Sequence, residues 1–158
     1  MLRAKVAVVG LIGLISVAGF STYASAAPSG STNRSFTENV TGAQISMTGL
    51  SLETVFRVSN PLDGTGAGIS DGSITGTTFP INGKNATTDY FADGVQKLEE
   101  TFTLAAPNAS DISMLTGNGK CVGGTGVHKK QKCTYTFTGT LDFKTTVDTV
   151  TVTGTYTR

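Results

Sequence analysis

The C-terminal stretch CTYTFTGTLDF (Cys133–Phe143) alternates between two kinds of residue. Its odd-numbered positions carry cysteine, aromatic residues, glycine or leucine, and its even-numbered positions carry threonine or aspartate. A period of two is typical of a β-strand that buries one face and exposes the other. The stretch TVTVTGTYTR (Thr149–Arg158) repeats the pattern, with valine, glycine and tyrosine at its even-numbered positions. Together the two stretches predict an antiparallel β-hairpin.

The rest of the chain has the composition of a β-protein. It is rich in threonine, whose branched side chain suits a pleated surface. Shorter alternating stretches, ETVFRVS (residues 53–59) and EETFTLAA (residues 99–106), predict two further strands. No segment carries an apolar helical stripe over three turns, so the sequence predicts an all-β fold.

A short element of an apolar residue followed by Thr-Gly-Thr occurs three times, at residues 74–77, 137–140 and 152–155. Glycine inside a strand marks a bend, a bulge or a close approach of another backbone. Repeated glycine bends at matched heights are one way in which a sheet curls into a closed barrel. The sequence therefore favours a small antiparallel β-barrel, with a two-sheet β-sandwich as the alternative.

The stretch LTGNGKCVGGTGVHKKQKCTYTFTGTLDF (residues 115–143) resembles the strand pattern of the allene oxide cyclase barrel and dirigent-like group. The residues that carry the resemblance are Gly117, Gly119, GGTG at 123–126, FTGT at 137–140 and, upstream, YFADG at 90–94. The resemblance implies a small antiparallel barrel, in some members with an apolar central cavity. This chain departs from the group in its cysteines and its lysine cluster. No catalytic residue can be matched, so no activity is carried over.

The N-terminus has the three regions of a signal peptide. Arg3 and Lys5 precede an apolar run of 15 residues (Val6–Phe20), and small residues follow at Ala24 and Ala26. The run is shorter than the roughly 20 residues that span a membrane. The sequence thus predicts a signal peptide (1–26), a flexible lead-in (27–35) and a single β domain (36–158). We expect a secreted protein that is not held in a membrane after cleavage.

The charge of the predicted mature domain is close to balanced. Cleavage after residue 26 removes two basic residues and leaves 132 residues with 10 basic and 11 acidic side chains. A near-neutral chain of this kind argues against nucleic acid as the partner. However, residues 120–132 contain four lysines and no acid, so a basic segment lies on a mildly acidic body.

Three of these lysines lie between the only two cysteines, Cys121 and Cys133, and the fourth, Lys120, directly precedes Cys121. An exported chain with two cysteines is expected to form a disulfide. Closing a loop of about 13 residues stabilises a fold by about 3 kcal/mol. The Cys121–Cys133 loop is therefore predicted to be a stapled turn whose cations contact an anionic polymer or an acidic protein. The predicted contact residues are Lys120, His128, Lys129, Lys130 and Lys132.

The sequence contains few candidates for catalytic or ligand-binding residues. The sole histidine, His128, is interpreted as a surface residue because no nucleophile motif accompanies it. Glu100 shares a strand face with Leu98, Phe102 and Leu104, which makes it the best candidate for an acid or a ligand anchor inside a barrel. The aspartates Asp71 and Asp89 are interpreted as turn residues. The residues expected to line a cavity are Glu100, Phe102, Tyr135, Phe137 and Leu141. The sequence assigns no catalytic residue, metal site or cofactor.

Two functions follow from these patterns. The preferred hypothesis is a secreted, non-enzymatic domain that binds an extracellular or surface partner through the Cys121–Cys133 loop. The alternative is a barrel that holds an apolar small molecule, which includes a cyclase- or isomerase-like enzyme. Replacing Lys129, Lys130 and Lys132 with alanine separates them, since only the first function depends on these cations.

Overall fold

The computed structural model describes residues 33–60 and 64–157, and these form one closed antiparallel β-barrel. Its eight strands are β1 (Arg34–Thr48), β2 (Ser51–Asn60), β3 (Gly64–Ile74), β4 (Ile81–Phe91), β5 (Gly94–Leu104), β6 (Ile112–Gly124), β7 (Lys132–Asp142) and β8 (Val147–Thr157). A single 3₁₀ turn, Gly126–His128, lies between β6 and β7. The predicted all-β barrel is confirmed, and the sandwich alternative is wrong.

The strands follow each other around the barrel in chain order. Each pairs with its neighbours in sequence, and β1 closes the barrel on β8 with Val40 opposite Val150. Complete pairing leaves no open sheet edge among the described strands. The sequence alone could not decide between a barrel and a sandwich, because the alternation along one strand is the same in both.

The predicted hairpin of β7 and β8 is confirmed, with Phe137 opposite Val152. The odd-numbered residues of β7 and the even-numbered residues of β8 point inward, and their threonines point outward. The buried core cluster consists of Leu98, Cys133, Tyr135, Phe137, Val150, Val152 and Tyr156. The alternation therefore separates a packed interior from a polar, threonine-rich outer face.

Inward-facing glycines lie opposite the largest inward side chains. Gly117 pairs with Phe137 and Gly119 with Tyr135, and each aromatic ring occupies the place of the missing glycine side chain. The same arrangement puts Phe56 against Gly68, on β2 and β3. One strand thus supplies the bulk and its neighbour supplies the space, which is how a narrow barrel accommodates aromatic rings.

Two of the three Thr-Gly-Thr elements lie within strands, where they contain Gly139 of β7 and Gly154 of β8. A side chain at either glycine would meet the backbone of the adjacent strand. The third element, residues 74–77, begins at the end of β3 and continues into the β3–β4 connection. The suggestion that glycines of this element help the sheet to curl into a barrel therefore applies only to Gly139 and Gly154.

The N-terminal predictions fall largely outside the described residues, which begin at residue 33. This includes the predicted signal peptide and most of the lead-in. Strand β1 begins at Arg34, so the last two lead-in residues already belong to the barrel. In the part of the chain that is described, no helix has the length and apolar character needed to cross a membrane.

Candidate functional site

The barrel interior contains a cavity of about 190 Å³. Its wall is formed largely by aromatic and aliphatic side chains, among them Phe56, Val58, Phe102, Leu115, Phe137 and Val150. The cavity extends to the barrel end that carries the β1–β2 and β7–β8 turns, and we call this end the mouth. Two of its lining residues there, Met47 and Phe143, are 46% and 40% exposed. The cavity therefore reaches the protein surface at the mouth.

The opposite end of the barrel is filled by side chains. The Cys121–Cys133 disulfide joins β6 to β7 there and confirms the predicted pairing. Phe36 packs edge-on against Tyr156, with ring centroids 6.1 Å apart. None of these residues lines the cavity. Among the described residues, the disulfide and these two rings thus lie outside the cavity wall, toward the end opposite the mouth.

Glu100 lies within the cavity wall and is held by hydrogen bonds from the barrel itself. The Tyr135 hydroxyl donates to Glu100 Oε1 at 2.8 Å. The Thr87 hydroxyl and the Asn85 amide donate to Oε2 at 2.9 and 3.4 Å. Burial raises the pKa of Tyr135 far above its usual value, and the charge of the adjacent Glu100 raises it further, so the phenol stays a proton donor. The network fixes the Glu100 carboxylate in one position.

Asp89 is the most deeply buried acid of the cavity, with 2% of its surface exposed. Its Oδ1 has no hydrogen-bond partner. Burial raises the pKa of Asp89 well above the usual aspartate value, and the nearby charges of Glu38 and Glu100 raise it further. An acid in this environment favours its neutral form unless a positive charge is brought next to it.

Other polar groups on the same wall share this environment. Ser70 Oγ and Asn85 Oδ1 are buried and have no hydrogen-bond partner. On the far side, burial raises the pKa of Asp148, and the charge of Glu100 acts in the same direction. A wall with several acidic groups and unpartnered oxygen atoms is unusual, because buried polar atoms are normally hydrogen-bonded.

The five residues predicted to line a cavity lie together in the structure. Glu100, Phe102, Tyr135, Phe137 and Leu141 all belong to the wall of this one cavity. Sequence reasoning missed the other polar residues of the wall, which are Glu38, Gln44, Thr54, Ser70, Asn85, Thr87, Asp89, Thr146 and Asp148. The interpretation of Asp71 and Asp89 as turn residues is wrong, since Asp71 lies within β3 and Asp89 lies within β4 and faces the interior. The inward face of β4 carries polar residues, so hydrophobic alternation gave no signal for it.

The structure places the predicted contact residues of the Cys121–Cys133 loop in two different environments. Lys129, Lys130 and Lys132 are exposed. Lys120 is also exposed, but it lies on the outer face of β6 and forms an ion pair of 3.0 Å with Glu99. Its charge is therefore partly balanced, and three lysines remain as the basic surface of the loop.

His128 is wrongly predicted as a surface contact. Its side chain is fully buried, 0% exposed, beneath the loop. Its Nδ1 forms a 2.7 Å hydrogen bond with Gln131 Oε1, and its ring lies against Phe91 with centroids 5.3 Å apart. Its Nε2 lies 3.4 Å from an oxygen of Asp93. The imidazole anchors the 3₁₀ turn to the β4–β5 hairpin, a role that flanking lysines in the sequence conceal.

Within residues 33–60 and 64–157, no three histidine, cysteine or acidic side chains are grouped so that they could hold a metal ion. Comparisons with protein-family models, with curated proteins and with solved structures give no match. The resemblance to allene oxide cyclase and dirigent-like barrels therefore stays a prediction. Function has to be argued from the cavity and the loop themselves.

The raised pKa of Asp89 predicts an unusual dependence of stability on pH. Because its pKa is raised, Asp89 releases its proton at a higher pH in the folded protein than in the unfolded chain, where an aspartate has a pKa of about 3.9. The contribution of Asp89 to stability is therefore fully present below that pH and is lost as the pH rises through the raised pKa, by about 1.4 kcal/mol in total for each pH unit that separates the two pKa values. Asp148 contributes with the same sign. We expect the free energy of unfolding, measured with urea between pH 5 and pH 8, to fall more steeply in the wild type than in Asp89→Asn.

The control for this measurement is Asp71→Asn, which removes an exposed carboxylate from β3 without altering the interior. In this variant the free energy of unfolding should change with pH as steeply as it does in the wild type. Equal slopes in the wild type and Asp89→Asn would show that Asp89 is already ionised in the folded protein at pH 5.

Proposed function

We propose that this protein binds a small, largely apolar molecule inside the barrel. The observation that carries the proposal is the cavity of about 190 Å³, walled by apolar side chains and reaching the surface at the mouth. An apolar cavity of roughly 150 Å³ accommodates benzene. The cavity therefore suits a ligand of about one aromatic ring with a short substituent.

The cavity residues support binding rather than catalysis. Glu100, the acid that the sequence singled out, already accepts hydrogen bonds on both oxygens from Tyr135, Thr87 and Asn85. A general acid or base needs a free path to a substrate proton. A carboxylate that three hydrogen bonds hold in place is better suited to shape the electrostatic field around a ligand.

The proposal predicts that a residue facing the cavity controls binding and its outward neighbour does not. Thr54→Phe would fill the cavity from β2, whereas Val55→Phe adds the same ring on the outer face, where Val55 is 38% exposed. Calorimetric titration with benzyl alcohol should show binding to the wild type and to Val55→Phe, and none to Thr54→Phe. Circular dichroism checks that both variants are folded. Absence of binding to the wild type, or equal binding to both variants, would contradict the proposal.

A second proposal rests on the exposed lysines of the Cys121–Cys133 loop. Lys129, Lys130 and Lys132 lie on a turn fixed by the disulfide and by buried His128. Fixed cations of this kind suit an anionic polymer or an acidic protein, with an affinity that weakens as salt is added. The triple alanine variant of these lysines should keep its affinity for benzyl alcohol and lose any salt-dependent affinity for polyglutamate. A triple variant that still binds polyglutamate as the wild type does would contradict the second proposal.

Both proposals place the protein outside the cell. The arrangement of residues 1–26 supports export, and the Cys121–Cys133 disulfide is compatible with an oxidising compartment. Neither proposal involves nucleic acid.

A further inference from the structure

Three buried polar atoms of the cavity wall lack partners, and they lie on one patch of β3 and β4. Asp89 Oδ1, Asn85 Oδ1 and Ser70 Oγ have no hydrogen-bond partner. Asn85 and Asp89 point inward from β4 on either side of Thr87, and Ser70 of β3 pairs directly with Thr87. Leaving such atoms unpartnered is costly, so their grouping beside a cavity indicates that a bound molecule completes them.

All three atoms can accept a hydrogen bond. Asn85 Oδ1 is an acceptor, since the amide nitrogen of Asn85 already donates to Glu100, and Asp89 Oδ1 is an acceptor once Asp89 has ionised. A hydroxyl such as Ser70 Oγ accepts as readily as it donates. A ligand that satisfies this patch must therefore carry several donors close together, as an ammonium group does.

The acidic side chains of the cavity also favour a ligand that carries a positive charge. Glu38, Glu100 and Asp148 line the same cavity as Asp89, and its described lining includes no lysine, arginine or histidine. A cation placed among these groups would gain from each of them. An anionic ligand would be repelled by each of these groups that is ionised.

An aromatic ring adjoins the patch. Two ring carbons of Phe56 and Asp89 Oδ1 both lie next to the position that a side chain at Gly68 would take, so the ring and the carboxyl group are neighbours. A ligand seated on Asp89 would thus also lie beside the Phe56 ring. The remaining apolar wall is free to cover the hydrocarbon part of the same ligand.

We propose that the ligand is a small aromatic or cyclic amine in its protonated form. Its ammonium group binds Asp89, Asn85 and Ser70, and its ring packs against Phe56 and the apolar wall. This inference rests on the proposed function of the cavity, and it adds the chemical class of the ligand. The cavity volume limits the molecule to roughly the size of benzylamine.

The inference is tested with three ligands of one shape and different charge. Calorimetric titrations at pH 7.5 compare benzylamine, benzyl alcohol and benzoate. We expect benzylamine to bind at least about tenfold more tightly than benzyl alcohol, because a charge-assisted hydrogen bond is roughly twice as strong as a neutral one. Benzoate should not bind. Equal affinity for benzylamine and benzyl alcohol would overturn the inference and leave the proposed function standing, whereas no binding of any of the three would overturn both.

Asp89→Asn tests the assigned residue. It should lower the affinity for benzylamine to about that for benzyl alcohol, while Asp71→Asn on the outer face of β3 leaves the amine preference as it is in the wild type. Retention of the amine preference in Asp89→Asn would overturn the assignment. The neutral amide also relieves the cost of a buried acid, so this variant is not expected to unfold.

The pH dependence of affinity gives an independent readout. Asp89 must ionise to bind the ammonium group, and it is faced by Glu38 from β1, Glu100 from β5, Tyr135 from β7 and, across the cavity, Asp148 from β8. Benzylamine affinity should therefore rise from pH 5 to pH 8, while benzyl alcohol affinity stays flat. A flat benzylamine profile would overturn the role of a titrating carboxyl.

Discussion

Replacing Gly139 with alanine is expected to destabilise the barrel by about 3 kcal/mol or more, a value at the upper end for overpacking. An added methyl group at this position would overlap the Thr149 carbonyl oxygen and the Val150 α-carbon. Both atoms belong to the backbone of β8, so no side-chain rotation can make room. The two strands would have to separate where β7 crosses β8. Urea unfolding followed by circular dichroism measures the loss.

Gly76→Ala is the matched control, because no atom lies within 4 Å of the position that its methyl group would take. It should change the free energy of unfolding by less than about 1 kcal/mol. If Gly139→Ala were as stable as Gly76→Ala, the close approach of β7 and β8 would not be needed for barrel closure.

Reducing the Cys121–Cys133 disulfide is expected to lower the free energy of unfolding by about 3 kcal/mol. The bridge spans 12 positions and closes the loop that contains the 3₁₀ turn. Without it the unfolded chain regains the conformations that the closed loop forbids. The measurement is urea unfolding of the wild type with and without dithiothreitol.

The double variant Cys121→Ser, Cys133→Ser serves as the control. Its urea midpoint should match that of the reduced wild type and should not respond to dithiothreitol. A wild-type midpoint that reductant leaves unchanged would indicate that the hydrogen bonds between β6 and β7 hold the loop without the disulfide.

The parts of the fold that the sequence predicts are those where one strand face is apolar throughout. Strands β7 and β8 carry Tyr135, Phe137, Val150 and Val152 inward and threonine outward, so their pairing can be predicted from alternation alone. The same reasoning places Glu100 on an interior face, because its neighbours at steps of two are apolar. These regions obey the simple rule that inward means apolar.

Strands β3 and β4 could not be predicted in this way. The inward positions of β3 are glycine, serine and isoleucine, because large side chains such as Phe56 on β2 occupy the space in front of them. When the large side chains come from the neighbouring strand, the strand itself shows no alternation of apolar and polar residues. The stretch GTGAGISDGS therefore has the composition of turns, and the position of Asp89 on the neighbouring strand is hidden for the same reason.

The environment of His128 is also hidden in the sequence. Its neighbours Val127 and Lys129 are exposed, and the imidazole is buried only because the β4–β5 hairpin brings Phe91 and Asp93 against the loop. These residues lie far from His128 in the chain. Local sequence describes the turn, and only the assembled barrel determines which of its side chains is covered.

Closure of β1 onto β8 has a consequence for the connectivity of the protein. Arg34 at the start of β1 pairs with Tyr156 near the end of β8, so the first and last strands finish side by side. Every strand is hydrogen-bonded to its neighbours in sequence, and short stretches of chain connect all adjacent strands except β8 and β1. A short linker between those ends and a cut at another turn would give a circular permutant with the same strand pairs. A cut at the β1–β2 turn would bring both new ends to the mouth, where an attached fluorophore could report the entry of a ligand.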